Sequence, residues 1–281
     1  MSALRQTQAE APLAAFGRAA TTALHDELAL YPKPGLVSFI DTGSHADMDG
    51  RTFMRSLFSL RHYFPRMAAL GAAQAPFEAL QQAGIEAEQR MLLATGGINT
   101  HRGAIFSLGL LCASAGRLGE ATPTPAALRA SLLAGWGAVL VERARAWRPS
   151  QGQNAARRYG LRSIGDEAAA GFPSLFEVAV PALQRGLAAG LGWRLARLET
   201  LFALVAVLDD TTLAHRGGLE GLRFAQRTAQ DYLDRGGVAA DPGLHVALAL
   251  HQQFIARRLS AGGSADLLAA ACWVWRVGTP V

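Results

Sequence analysis

The chain is short of several things. It has one lysine, two cysteines, no long apolar run, no basic tract and few alternating strand patterns. Cys112 and Cys272 each lie in an apolar helical run and form no Cys-x-x-Cys, so a thiolate zinc site is not expected; both read as core residues in a reducing compartment. No uncharged apolar run reaches about 18 residues, the length that marks a membrane span. No basic segment followed by an apolar block opens the chain, so no signal peptide is read and the expected location is the cytoplasm. Without a basic run or a basic-aromatic stripe, nucleic acid is not the expected partner. The single lysine is Lys33; the other basic residues are all arginine, and the formal charge is +5. Arginine is the planar fork that suits phosphate and carboxylate, so this balance points to a polyanionic small molecule. Half of the residues are apolar and 17% are charged, as in ordinary globular enzymes.

What is present is a set of glycine-rich turns, each opening a helix. The clearest runs from Thr95 to Leu111. Its first half holds Gly96, Gly97, Asn99, Thr100, His101, Arg102 and Gly103; its second half is apolar at helical spacing, with Ile105, Leu108 and Leu111 on one face. Asn99 or Thr100 is expected to cap the helix, leaving further N–H groups and the helix dipole to favour an anion. No Gly-Lys-Ser/Thr follows, so this is not a Walker A loop. The triplet His-Arg-Gly returns at 215–217, before Gly218, and a third glycine turn, Gly262-Gly263-Ser264, precedes Asp266, with Ser264 the expected cap.

Between these turns the apolar spacing predicts helices. The first covers residues 11–30, with Leu13, Phe16, Ala20, Leu24 and Leu28 aligned. Pro32-Lys33-Pro34-Gly35 then pins Lys33 between two prolines. The loop from Asp41 to Gly50 gathers Asp41, Ser44, His45, Asp47 and Asp49, an oxygen density that suits Mg²⁺. It is no EF-hand, because the twelfth position is Thr52 rather than glutamate. One helix over 51–70, kinked at Pro65, is expected next, followed by helices over 76–93, to about 115, and to about 146, where Trp136 and Trp147 read as packing. Residues 150–171, the least apolar stretch, read as a binding loop or lid. Asp209 and Asp210 follow a helix over 194–208, where carboxylates oppose the dipole, so a metal or catalytic role is expected of them. The predicted fold is all-α: one domain over residues 1–281, ten to twelve helices, with the polar loops gathered at one end.

Taken together, residues 32–37, 43–48, 95–111, 171–173, 210–222 and 260–269 resemble the triphosphoribosyl-dephospho-CoA synthase family. The resemblance spans nearly the whole chain, and over 28–37 and 161–183 it is closer to the malonate decarboxylase branch than to the citrate lyase branch. It implies a reaction: ATP gives its triphosphoribosyl group to 3′-dephospho-CoA, adenine leaves, and the product is the precursor of an acyl carrier protein's prosthetic group, passed on to a holo-carrier-protein synthase. Mg²⁺ is the implied cofactor. The chain departs from the family's usual wording at Gln151 (a histidine elsewhere), Thr212 (an asparagine), Ala261 (a proline) and Arg102 (often a lysine).

Breaking an N-glycosidic bond builds positive charge on the ribose, so carboxylates are expected to stabilise it and to deprotonate the acceptor hydroxyl. The expected carboxylates are Asp210, Asp209, Glu167 and Glu27, with Asp47, Asp49, Asp209 and Asp210 as metal ligands. Lys33, Gly35, Ser44, His45, Gly97, Asn99, Thr100, His101, Arg102, Gly103, Arg216, Gly217, Gly218, Gly263 and Ser264 are the expected phosphate-binding set. Two rival readings are a Mg²⁺-dependent hydrolase of ADP-ribose-like N-glycosides and a non-catalytic helical scaffold that binds a carrier protein.

Overall fold

The computed structural model describes residues 2–146 and 150–278, and every regular element among them is helical. In chain order these are α1 (Ser2–Ala29), α2 (Gly50–Ser59), α3 (Tyr63–Ala72), α4 (Phe77–Thr95), α5 (Arg102–Arg117), α6 (Pro125–Arg145), α7 (Gln151–Tyr159) and α8 (Ile164–Ala169). A π-helical turn, Ser174–Ala179, leads into α9 (Val180–Ala188), followed by α10 (Gly192–Val207) and α11 (Thr211–Asp234). A 3-10 turn, Gly237–Ala239, precedes α12 (Gly243–Ala256) and α13 (Gly262–Gly278).

The middle of the molecule is made by α5 and α13. Nearly every residue of α5 from Ala104 to Gly116 and of α13 from Ser264 to Val274 is buried. A helix apolar on all sides has to be enclosed, and α1, α3, α6, α10 and the π-turn enclose these two. The α3–α5 crossing is backbone against backbone. A Cβ on Gly71 would lie 1.9 Å from the Ala113 carbonyl oxygen, and one on Gly116 would lie 1.9 Å from that of Ala68. Ala20, Leu24 and Leu28 of α1, and Leu57, Phe64 and Met67 of α2 and α3, are buried as their spacing requires. Cys112 and Cys272 are free, buried thiols, and burial pushes Cys272 up to about 12. Trp136 packs with its Nε1–H on the Ala75 carbonyl, 3.1 Å away; Trp147 lies outside the described residues.

Three sequence expectations need correction. Residues 51–70 form two helices with a turn at Leu60–His62, and Pro65 falls in the first turn of α3, where its missing N–H removes no helix bond. Its ring lies against α1 at Gly17, where a Cβ would come within 2.3 Å. Residues 150–171 are not an open loop but two short helices. Ser150 caps α7, and Ser163 with Asp166 forms a capping box on α8. Ser264 is not a cap; it lies inside the first turn of α13 and points at Asp210.

Candidate active site

Three helix heads meet at one end of the core. Asp210 caps α11, accepting from the N–H groups of Thr212 and Leu213 at 3.0 and 3.3 Å. Its other oxygen accepts from the Ser264 N–H and hydroxyl of α13 at 2.8 and 2.9 Å. Asp266, one half-turn on, accepts from the Ala104 N–H in the first turn of α5. A Cβ on Gly103 would lie 2.0 Å from Asp266 Oδ2, so glycine is what lets α5 come this close. Helix N-termini carry partial positive charge, and bringing three together favours an anion.

Above this knot lies a cleft of about 870 Å³. The head of α5 supplies one wall, from Gly97 to Phe106. Thr211, Thr212, His215 and Arg216 of α11 and Gly262, Gly263 and Asp266 of α13 supply a second. His45, Asp47 and Met48 close one side, and the heads of α7 and α8 (Ser150 to Gln153, Ser163 to Gly165) close the other. Five of the six turns that carry the resemblance therefore border one cavity; residues 171–173 do not, because Phe172 is buried in the core. Arg102, Arg143 and Arg216 are its cations. Arg102 pairs with Glu88 at 2.9 Å, and Arg216 clasps the backbone carbonyls of Arg258 and Ser44.

Two of the three histidines that line the cleft, His101 and His45, are held below the usual imidazole range. His101 is 3% exposed, its Nδ1 lies 2.6 Å from Ser56 Oγ, and Phe53 packs edge-on at 5.0 Å. Burial, with the nearby Lys33 charge, holds it down to about 3, so it is a neutral ring at physiological pH. His45 is 2.9 Å from Ser260 Oγ, and burial together with the Arg216 charge keeps it below the usual range. His101 Nε2 and Thr100 Oγ1 are buried polar atoms with no partner among the described residues, and both residues line the cleft. Buried polar atoms are normally paired, so two orphans on one wall mark where a ligand would bond.

Of the residues expected from sequence, Glu27, His45, Asp47, Gly97, Asn99 and Thr100 face the cleft, as do His101, Arg102, Gly103, Arg216 and Gly263. Asn99 Oδ1 accepts from the Arg102 N–H at 3.2 Å, whereas Thr100 does not cap. The others have different employment. Lys33 is not an accessible loop lysine; it is 1% exposed and bonded 2.5 Å from Glu27 Oε1 and 2.8 Å from the Glu27 carbonyl. Burial lowers its affinity for its proton, against the pull of Glu27. Gly35 fits beneath the Leu259 carbonyl and Ser44 Oγ donates to that same carbonyl at 2.5 Å, tying the 32–45 loop to the α12–α13 turn. Gly217 admits Leu259, and Gly218 supplies a positive φ of 64° inside α11. Glu167 is 1% exposed and binds Ser174 and Arg162 outside the cleft.

The four expected metal ligands do not converge. Asp49 caps α2 through Thr52, Asp209 accepts from the Arg162 N–H, and Asp210 is saturated by four donors. Among the described residues no three His, Cys, Asp or Glu side chains gather as a metal site. Sequence reasoning missed Asp266, Glu88, Arg143 and the Phe53–Phe106 walls as cleft residues. Asp266 carried one signal, its place just after a glycine turn; the others look like ordinary helix positions.

The chain matches the CitG family, described as ATP:dephospho-CoA triphosphoribosyl transferase, over residues 13–280. The chain belongs to this family. It is an enzyme of the transferase class, and the convergence of the family's turns on one cleft agrees with that. It is similar to a probable 2-(5″-triphosphoribosyl)-3′-dephosphocoenzyme-A synthase of Pseudomonas syringae pv. tomato, 41% identical over 98% of this chain and 95% of that one. Proteins with the same name from Pseudomonas fluorescens and Citrobacter koseri are 42% and 40% identical, covering 92% and 91% of this chain and 89% and 88% of their own lengths. No solved structure matches. Among the described residues no helix is long and apolar enough to cross a membrane.

Proposed function

We propose that this chain transfers the triphosphoribosyl group of ATP to the 2′-OH of 3′-dephospho-CoA, with release of adenine, in the cleft at the heads of α5, α11 and α13. The observation that carries this reading is the cleft itself. Three helix N-termini, three arginines and two orphaned polar atoms border a cavity of about 870 Å³. That lies near the top of the range of roughly 300–1,000 Å³ usual for ligand pockets, room for a donor and an acceptor together. A smaller, mostly apolar recess of about 260 Å³, walled by Tyr63, Met67, Leu80 and Leu110, shares Phe77, Glu88, Phe106 and Arg143 with the cleft. It suits the pantetheine arm of the acceptor.

Polyphosphate binds through Arg102, Arg143, Arg216 and the α5 and α13 N–H groups. Glu27 faces the cleft with Lys33 behind it, a fixed carboxylate suited to the positive charge that builds on the ribose. Mg²⁺ fits as an ion carried on the triphosphate. Magnesium keeps several waters and takes one or two protein carboxylates, and Asp47, 62% exposed at the rim, is the carboxylate available to it. When bound, the ion neutralises phosphate charge. The likeness over residues 28–37 and 161–183 supports the malonate decarboxylase branch, with the product handed to a holo-carrier-protein synthase in the cytoplasm.

Incubation with ATP, Mg²⁺ and 3′-dephospho-CoA, followed by mass analysis, is expected to yield adenine and the triphosphoribosyl adduct together. Adenine or free base appearing without acceptor would indicate the N-glycoside hydrolase instead, and carrier-protein binding with no turnover would indicate a scaffold. Supplying the product to the carrier-protein synthases of the two decarboxylase and lyase systems tests the branch; loading only of the citrate lyase carrier would reverse it.

A further inference from the structure

Four carboxylates line the cleft, Glu27, Asp47, Glu88 and Asp266, and they are not equivalent. Glu27 is held by Lys33 and Glu88 by Arg102, while Asp47 lies at the rim, 3.7 Å from His45. Asp266 has no cation and no side-chain hydrogen-bond partner among the described residues; its bond is to the backbone N–H of Ala104. It projects from the first turn of α13 into the gap that Gly103 leaves open. The α5 head brings two further buried polar atoms to the same cleft, Nε2 of His101 and Oγ1 of Thr100, which have no hydrogen-bond partner among the described residues. A carboxylate with no cation beside it and two hydrogen-bonding atoms without partners line one cleft, which fits a ligand carrying hydroxyl groups.

We infer that Asp266 is the general base of the transfer, taking the proton of the acceptor ribose hydroxyl as that oxygen attacks C1″ of the donor ribose. This rests on the transferase reading above. In the step the O2′–C1″ bond forms and the C1″–N9 bond breaks, with its electron pair leaving on adenine. The 2′ proton passes to Asp266, adenine takes one proton from water, and Asp266 later returns its own to water, so nothing else is consumed. Three features suit the residue to this work. The Ala104 N–H at the α5 head fixes the carboxylate in place and works against the effect of burial on its proton affinity. Burial, with Glu27 and Asp210 close by, raises its proton affinity well above that of an ordinary aspartate, which makes it a stronger base. Glu27, by contrast, has its oxygen engaged by Lys33.

The test is Asp266→Asn, which keeps a carbonyl oxygen for the Ala104 N–H. A general base contributes about 10²–10⁴-fold, so kcat for adenine release should fall by that factor while the Kd values for ATP and dephospho-CoA, read by calorimetry, stay within about threefold. Asp266→Ser, smaller and also neutral, should show the same loss and serves if the asparagine variant fails to fold by circular dichroism. The 7-methylated ATP analogue, whose base leaves without protonation, should not restore either variant. Turnover of both variants within tenfold of wild type overturns the assignment. Rescue by the methylated donor also overturns it, because it would make Asp266 the acid for adenine. A wild-type protein that releases no adenine overturns the functional reading itself, a result distinct from either.

Discussion

The head of α5 and the head of α11 carry the same triplet, His-Arg-Gly, at 101–103 and 215–217, and use it in opposite ways. At α5 the histidine is buried and neutral with one nitrogen unpaired, the arginine sits on the cleft wall beside Glu88, and the glycine makes room for a carboxylate. At α11 the histidine is exposed, the arginine clasps two backbone carbonyls, and the glycine makes room for Leu259. One head is left polar and incomplete; the other is closed by its own Asp210 cap. The chemistry of a short motif is therefore set by what packs on its glycine, Asp266 in one case and Leu259 in the other.

Substituting the two glycines breaks this comparison most sharply. Gly103→Ala puts a methyl group 2.0 Å from Asp266 Oδ2. A displacement of about 1 Å in a reacting group costs on the order of 10²-fold, so kcat per folded molecule should drop at least that far, beside an overpacking cost of about 1–3 kcal/mol by urea titration. Asp210→Ala removes a cap and leaves the Ser264 donors buried without a partner. Caps are worth about 1 kcal/mol and a buried unsatisfied group about 1–3, so a stability loss of about 2–4 kcal/mol is expected by denaturant titration. Gly217→Ala sets a methyl group 2.4 Å from Leu259 Cδ2. Overpacking of that kind costs about 1–3 kcal/mol, and here turnover per folded molecule should hold.

The buried histidine makes the α5 head sensitive to pH. His101 titrates near 3 when folded and near 6.5 when unfolded, so below about 6.5 the unfolded chain binds a proton that the folded one refuses. Its contribution is therefore complete above pH 6.5 and is lost on acidification, by up to about 1.4 kcal/mol per unit between 6.5 and 3. His101→Asn should flatten that slope when stability is followed from pH 7 to 5. The smallest effect is expected of Arg216→Gln, whose partly exposed clasp should cost under about 1 kcal/mol.

The long helices were legible because their apolar residues recur at helical spacing, whereas α7 and α8, capped by Ser150 and Ser163, lie in a stretch too polar to show that spacing. The glycine turns were readable because each is a run of adjacent residues. What the chain order hides is the partner. Asp210 reads like a metal ligand until Ser264, 54 positions away, is seen to donate to it twice. Lys33 reads like an exposed phosphate contact until Glu27 is found 2.5 Å from it inside the core. The break at Leu60–His62 has no proline or glycine to announce it, and Pro65 drew attention to the wrong residue. Asp266 matters because of Gly103, which belongs to another helix.

The most direct test of the account is where ATP sits. Photolabelling with 8-azido-ATP and Mg²⁺, followed by peptide mapping, should place the adduct within residues 97–106 or 260–269, and excess unlabelled ATP should suppress it. Competed labelling confined to surfaces away from this end, such as the outer face of α12, would contradict the claim that the helix heads form the nucleotide site.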